Sequence, residues 1–553
     1  DMSSRRRAPV SVARNDWKAI PVPELGMWTP NLTVSVVLPY YQRSRELTLT
    51  LAGLASQTYP HHLLQVLVVD DGSPTDPPRI PKGLPFDVDV LTQEDRGYGL
   101  ARARNLGAKS AEGDVVVFLD CDMVPERQHI EAHARWHHEA TWLATVGFRY
   151  HVEFGDATSE QVAQAVTDGS LSGLFEGKEV DRPEWIEAHM DRTGDLLGPH
   201  EDFYLMMSGG NLGIDPELYH EAGGTDESFE MWGGEDNEFA YRALQLGAVA
   251  IPERQAIAWH QGEGHEPTSD ELAALESQKP KLWNLVPDTS VRVRIPGRSY
   301  LRPYLTIFVD SRDRPRQEVA ITANSILASD FADFVLGIGI DSTDPDIGWF
   351  GESFQPEARV VFVRDEAELE TLHPFSPVRM SLQAGFAINA DTLDLLVSHV
   401  GGPGVGAFHL TLPQTPPSEA MAEVRLTRAL SRARLLGVEN VDETIGELFG
   451  ERWASGASLG VWRIGSEEHP EARIRQRRRP SKAVSSTAEL EAVKTQLQVL
   501  QARRALKLAD AFGSIFGARS LAQLKLGIRS LFRVIRRAPT AVTMDGEGAS
   551  SID

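Results

Sequence analysis

Gly113-Asp114-Val115-Val116-Val117-Phe118-Leu119-Asp120-Cys121-Asp122-Met123 is the stretch that decides the fold. Val115 to Leu119 form the short, uninterrupted apolar run of a strand buried on both faces. Asp120 and Asp122 stand where that strand ends, and ligands of open α/β sheets gather at the carboxyl ends of strands. A carboxylate pair there offers hard oxygen ligands to a divalent cation and, through it, to a diphosphate. An Asp-x-Asp also occurs as a plain solvated turn, so the stretch has to be weighed with its neighbours.

Upstream, Val34 to Pro39 reads as a strand, residues 44–57 have helical apolar spacing, and Leu64 to Val69 is a second strand running into Asp70-Asp71-Gly72-Ser73. Gly97 and Gly99 lead into a helical pattern that holds Arg102, Arg104 and Asn105. Strand, helix, strand, helix, strand with acids at two strand ends is the pattern of a doubly wound, nucleotide-binding α/β sheet. Downstream, Pro125 to about Gly198 says little; acceptor binding is the expectation. Ser208-Gly209-Gly210-Asn211 is a glycine-rich turn, either a place of close approach to a ligand or an ordinary tight turn. Phe229-Glu230-Met231-Trp232-Gly233-Gly234-Glu235-Asp236-Asn237-Glu238 then opens a helix. The helix dipole explains one or two acids at that position but not the Trp-Gly-Gly before them. Two short extended segments, Val249 to Pro252 and Ala256 to His260, follow.

Taken together, Val-Val-Leu-Pro-Tyr-Tyr, Val-Val-Asp-Asp-Gly-Ser, Ala-Arg-Asn-Leu-Gly and Phe-Leu-Asp-Cys-Asp resemble, in order and spacing, the family 2 glycosyltransferases of the GT-A fold. The resemblance implies a Rossmann-like nucleotide-diphospho-sugar transferase domain. Its donor site would draw on Pro39, Tyr40, Arg43, Asp71, Gly97, Arg104 and Asp120. Trp-Gly-Gly-Glu-Asp resembles the acceptor motif of metal-dependent galactosyl- and N-acetylgalactosaminyltransferases, including bacterial chondroitin-polymerase-type enzymes. That likeness implies acceptor contacts at Trp232, Gly233 and Gly234, an acceptor-holding Glu235 and a catalytic base, Asp236. It also implies Mn²⁺ or Mg²⁺ on Asp122 and His260, with His265 the weaker competitor.

From Leu305 the chain starts again. Leu305 to Asp310 matches the first strand in kind, and Phe334 to Ile340 followed by Asp341-Ser342-Thr343-Asp344-Pro345 echoes the Asp71 region. Arg432 to Gly437 echoes Arg242 to Gly247. The expectation is an internal repeat, a second GT-A-like α/β domain. Its counterpart of the Asp-x-Asp strand is read as Gly406 to Leu412, which ends without acids, so the second domain is expected to be non-catalytic. Packing, homo-oligomerisation and acceptor-chain binding are its candidate roles.

The expected organisation is a disordered leader over 1–30, the catalytic domain over 31–298 and the second domain over 299–466. A basic linker (467–485), an amphipathic helical tail (486–537) and a disordered end (538–553) follow. Ser486-Thr487-Ala488-Glu489 is a capping box for that tail, and Lys525, Arg529, Arg533 and Arg537 form a basic face suited to an anionic membrane surface. Between Glu471 and Arg537, 16 Lys or Arg face 4 Asp or Glu, so the rest of a chain of net charge −24 carries −36. An acidic body argues against general nucleic-acid binding. No apolar run approaches the ~20 residues of a membrane span, and none follows Arg5-Arg6-Arg7 as in a signal peptide. One cysteine, Cys121, excludes an intrachain disulfide within this sequence. The expected location is cytoplasmic, at most peripheral on the inner face of the cell membrane.

The sequence thus points to a metal-dependent, inverting transfer of a sugar from a UDP-sugar to a hydroxyl of a glycan acceptor, in surface or capsular polysaccharide synthesis. Two other readings stand beside it. A sugar-nucleotide pyrophosphorylase would need a glycine-rich basic loop where Tyr40-Tyr41-Gln42-Arg43 stands. A non-catalytic sugar-binding scaffold would have no use for the acids of the first half.

Overall fold

The computed structural model describes residues 7–198, 202–262, 264, 268–295, 298–355, 357–402, 404–411 and 420–465. The expectations for His265 and for the linker, tail and end beyond residue 466 lie outside them.

The first sheet is built from β1 (Val34–Tyr40), β2 (Leu64–Asp70), β3 (Val88–Thr92), β4 (Val115–Leu119), β5 (Met123–Pro125), β6 (Leu143–Val152), β7 (Asn211–Ile214) and β8 (Val249–Gln261), in the order β3-β2-β1-β4-β7-β6-β8-β5. β1, β2 and β4 read as near-continuous apolar runs and are buried almost throughout, as strands covered on both faces are, whereas the edge strand β3 is partly exposed. β1 is parallel to β2 and to β4, so the winding reverses between β1 and β4. Their pairing stops at Val37–Phe118, two residues before Pro39. The crevice therefore opens where a proline, which has no N–H to give, ends the ladder. β5 to β8 add a mixed half, with β7 antiparallel to β4 and β6, and β8 parallel to β6 and antiparallel to β5. The two segments expected around Pro252 and Ile257 are one strand, β8. Its register against β6 shifts between Val146–Pro252 and Phe148–Ile257, and this irregularity accommodates the proline.

The second sheet is built from β9 (Leu305–Asp310), β10 (Phe334–Gly339), β11 (Val360–Val363), β12 (Val378–Gln383), β14 (Ala407–Thr411), β15 (Ala422–Leu426) and β16 (Glu451–Ser455); β13 (Phe386–Ile388) and β17 (Val461–Arg463) make a separate ribbon. Its order, β11-β10-β9-β12-β15-β14-β16, repeats that of the first sheet strand for strand up to β8. The repeat is therefore visible in the topology. One assignment within it changes. The strand beside β9, matching β4 beside β1, is β12 rather than Gly406 to Leu412, whose β14 matches β6. Since Leu305 faces Val378 as Val34 faces Val115, Asp120 and Asp122 correspond to Gln383 and Gly385. The acids are missing from this strand too. Likewise, Arg432 lies on the helix Thr427–Leu435 directly after β15. The helix Glu235–Gln245, which precedes β8, has its counterpart in Val441–Phe449, which precedes β16. Sequence echo misled there because Arg-Ala-x-x-Leu-Gly is a generic helix end.

The expected loose leader is also corrected. Residues 7–30 are laid against the body, with Val10, Asn15 and Ile20 buried. Val10 N–H donates to Thr141 O (3.1 Å), and Asn15 Nδ2 donates to Leu196 O and Ala250 O (2.8 Å each). Arg14 reaches the second domain, donating to the carbonyls of Gly402, Gly404 and Phe449. Arg432, 1% exposed, donates to the carbonyls of Gly247 (2.5 Å), Ala248 (3.3 Å) and Val12 (3.1 Å). A buried guanidinium thus bolts the second domain to the end of the helix Glu235–Gln245 and to the N-terminal segment.

Candidate active site

Asp71 follows β2 and is held from three directions. Gln93 Nε2 donates to its Oδ1 (2.6 Å), Gly99 N–H donates to its Oδ2 (2.8 Å), and Arg102 Nη2 lies 3.5 Å away. Burial raises its pKa, and the bonds from Gln93 and Gly99 oppose that. Sequence reading singled out Gly97, which has φ +85° and open space beside it; Gly99 is the one pressed against the carboxylate, where a Cβ would overlap Asp71. Pro39 is buried in β1. Tyr40 is 1% exposed, with its hydroxyl donating to Asp76 O (2.6 Å), so its ring packs in the core and its phenol fixes a loop.

Arg104 joins the two halves of the site. Its Nη2 donates to Asp120 Oδ1 (3.3 Å) and its Nη1 to Glu235 Oε1 (3.1 Å). The acid after β4 and the acid opening the helix Glu235–Gln245 thus meet on one guanidinium that is 3% exposed. Glu235 is 4% exposed and its Oε2 has no partner. Burial, and then the neighbouring Asp236 charge, push its pKa up to about 7 against the pull of Arg104. Asp236 is less buried, and its Oδ1 accepts from Asn237 N–H (2.8 Å). Glu238, the third acid, is structural: it binds Arg242 (2.6 Å) and Arg302 (3.0 Å) and is 1% exposed. Tyr98, which sequence reading passed over, sits in the field of Glu235, Arg104, Asp120 and Asp236, and burial raises its pKa. Its place between two glycines was the available signal.

Asp122 and His260 come together through the β5–β8 ladder, which sets Met123 opposite His260, while Gln261 N–H donates to Asp122 O (2.9 Å). His260 Nε2 lies 3.4 Å from Asp122 Oδ2, and Arg43 Nη1 approaches the same oxygen at 3.7 Å. Burial raises the Asp122 pKa, with His260 opposing it. Among the described residues no group of three or more His, Cys, Asp or Glu forms a ready-made metal cage. One carboxylate and one imidazole fit a cation that takes its remaining ligands from water and phosphate oxygens, as Mg²⁺ and similar ions do.

The glycines have separate reasons. Gly233 and Gly234 have φ of +99° and +96°, and they pack on Leu275 and Leu282 of the helix Ser269–Leu285. Trp232 beside them is 37% exposed. At Gly209 and Gly210 the reason is proximity, since a Cβ would strike the Arg104 guanidinium and Asp120 respectively. The next residue, Asn211, anchors that turn. Its Oδ1 lies 2.8 Å from His129 Nε2 and 3.0 Å from His133 Nε2, and its amide donates to Phe148 O and Ala256 O. Both histidines are wholly buried, and burial pulls the His129 pKa down to about 4, so neutral imidazoles brace the turn.

Three comparisons with known proteins bear on this region. Residues 35–191 match the family model described as glycosyl transferase family 2, and residues 189–254 match one described as the N-terminal domain of galactosyltransferase. The chain is similar to chondroitin synthase of Escherichia coli, 31% identical over 43% of this chain and 36% of that protein. It is similar to chondroitin synthase of Pasteurella multocida (strain Pm70), 31% identical over 42% of this chain and 25% of that protein. Hyaluronan synthase of Pasteurella multocida is 28% identical over 41% of this chain and 24% of its own length. The chain thus spans about a quarter to a third of these relatives. A solved structure of GalNAc-T7 with UDP, GalNAc and Mn²⁺ matches 45% of this chain and 48% of that one at 19% identity and a TM-score of 0.31.

Proposed function

We propose that the first domain, whose residues 35–191 match the glycosyl transferase family 2 model, transfers a sugar from a UDP-sugar to a hydroxyl of a glycan acceptor with inversion. The observation that carries this reading is the Arg104 bridge between Asp120 and Glu235, which brings the nucleotide-side strand and the acceptor helix to one point. Asp71, fixed by Gln93 and Gly99, holds the nucleoside. Arg104 faces the phosphates. Glu235 is too buried and too firmly tied to Arg104 to serve as the base; its unpartnered Oε2 accepts a hydrogen bond from the acceptor sugar. Asp236, less buried and one residue on, takes the proton of the attacking hydroxyl as the new glycosidic bond forms and the bond to the diphosphate breaks. The exposed Trp232 ring offers an apolar face to the acceptor. Asp122 and His260 would hold Mn²⁺ or Mg²⁺, which when bound neutralises charge on the leaving UDP. Donors of the hexose and N-acetylhexosamine classes, and a role in surface or capsular polysaccharide synthesis, follow from the likeness to the chondroitin and hyaluronan synthases.

The test is Asp236→Asn assayed for UDP release with a panel of UDP-sugars, with the anomeric configuration of the product read by NMR. Turnover should fall ~10²–10⁴-fold with donor KM nearly unchanged. Near-normal turnover would remove Asp236 from its role, and a product that retains the donor's configuration would remove the single-base mechanism.

A further inference from the structure

One pocket of the first domain has no part in the chemistry described so far. It lies between β6, the helix Glu184–Thr193 and the turn 208–211, and its lining includes Arg149, Trp185, Met190, Met206, Ser208 and Asn211. It adjoins both halves of the candidate active site. Ser208 opens the turn whose Gly209 and Gly210 leave room for Arg104 and Asp120. Met206 closes the helical turn Phe203–Met206, in which Tyr204 O accepts from Nδ2 of Asn237, the neighbour of Asp236 (3.4 Å). In the sheet order β4-β7-β6 the pocket stands across β7 from β4. The donor-site candidates Asp71, Arg104 and Asp120 are on the other side, just after β2, on the helix Leu100–Ser110 and just after β4.

What the pocket offers is one-sided. The Asn211 amide is spent on two histidines and two carbonyls. The Arg149 guanidinium, the Trp185 indole N–H and the Ser208 hydroxyl have no hydrogen-bond or ion-pair partner among the described residues. Arg149 is half-buried, its Nε is sealed from water, and its terminal nitrogens bind no protein group. All three groups can donate, only the hydroxyl can also accept, and no acid lines the pocket. This is not for want of carboxylates, since the chain has 79 Asp or Glu against 55 Lys or Arg. A guanidinium held partly out of water without a counter-charge is costly, and its planar fork matches a carboxylate. The pocket has room for about one or two waters, which admits a carboxylate and keeps a sugar ring outside.

We propose that this pocket selects an acidic acceptor, with the carboxylate of a uronate unit on Arg149 and its remaining lone pairs on the Ser208 hydroxyl and the Trp185 N–H. The sugar ring stays at the mouth, beside the indole. A neutral sugar would leave the guanidinium unanswered. A phosphate group fits less well, because it brings a second charge and the pocket has no second cation. The inference rests on the first domain being a glycosyltransferase, since it names the acceptor class of that site.

Isothermal titration of the full chain, with UDP and Mn²⁺ saturating, tests it on two disaccharides that differ only in glucuronate or glucose at the non-reducing end. The glucuronyl disaccharide should bind saturably and about tenfold or more tightly than the glucosyl one, as one charge-assisted contact is worth. In Arg149→Met that preference should shrink below about threefold, with Arg149→Lys between the two. Equal affinities, no saturable binding of the glucuronyl disaccharide, a preference that survives Arg149→Met, or displacement of the disaccharide by inorganic phosphate would each overturn the proposal. So would an Arg149→Met protein that, without UDP, loses affinity for UDP-glucuronate instead, since the carboxylate would then belong to the donor. Should Arg149→Met lose its near-UV circular dichroism, Ser208→Ala decides. A severalfold smaller preference supports the pocket, and an unchanged one overturns it. The two readings fail separately: a glucuronyl preference without UDP release in the turnover assay would remove the transfer and leave the uronate site, whereas UDP release without the preference would do the reverse.

Discussion

Glu235 is the residue whose environment says most about the site. An acid buried against Asp236, with a pKa raised from 4.5 to about 7, binds more protons folded than unfolded across that interval. The stability it contributes is therefore present at low pH and lost as pH rises from 4.5 towards 7. Replacing it with Gln removes the titration. Denaturant unfolding at a series of pH values should show Glu235→Gln gaining on the wild type as pH increases through that window, while its acceptor KM rises. A constant stability difference would show that the carboxyl stays ionised under Arg104. Gly210 makes the converse case. Its backbone needs no positive φ, so Gly210→Ala should fold, but the new methyl would displace Asp120. Donor KM should rise about tenfold or more, equivalent to roughly 1.4 kcal/mol of binding; an unaffected KM would take Asp120 out of the donor site.

At the scale of elements, the helix Glu235–Gln245 is held at several points. Arg104 meets its first residue, Arg302 meets Glu238, Tyr241 Oη donates to Phe375 O (3.4 Å), and Arg432 caps the carbonyls just beyond its end. Arg432→Met would leave buried carbonyls without donors. A loss of ~2–4 kcal/mol in stability follows, and turnover should fall although the change is remote from the chemistry. Equal stability by urea titration would mean that water takes over those carbonyls. The strand ends, the acids upon them and the helix-opening Trp-Gly-Gly were legible in the sequence because each rests on local pattern. The long-range partners were not. Gln93 on Asp71, Asn211 on two histidines and Arg432 on Gly247 are polar contacts between distant segments, and a single chain read in order carries no sign of them. The mistaken choice of Gly406 to Leu412 over β12 has the same origin. Both are short apolar runs, and only hydrogen-bonded order tells which one lies beside β9.

For the whole molecule, the two sheets and the described N-terminal segment form one compact unit. Arg14 and Arg432 cross between the halves with buried or half-buried bonds, so neither half can open without exposing the other's carbonyls. Calorimetry should accordingly show a single cooperative transition for the two sheets, and two resolved transitions would mean that the halves melt independently. The duplication has one more consequence. Gln383 and Gly385 stand where the first sheet has Asp120 and Asp122, and the second sheet is no less complete for it. Chemistry on this scaffold can therefore be lost without any signal that the cell's proteases and chaperones would register. A copy that had stopped working would still fold, still dock on its twin and still be inherited, free to acquire a different task at leisure.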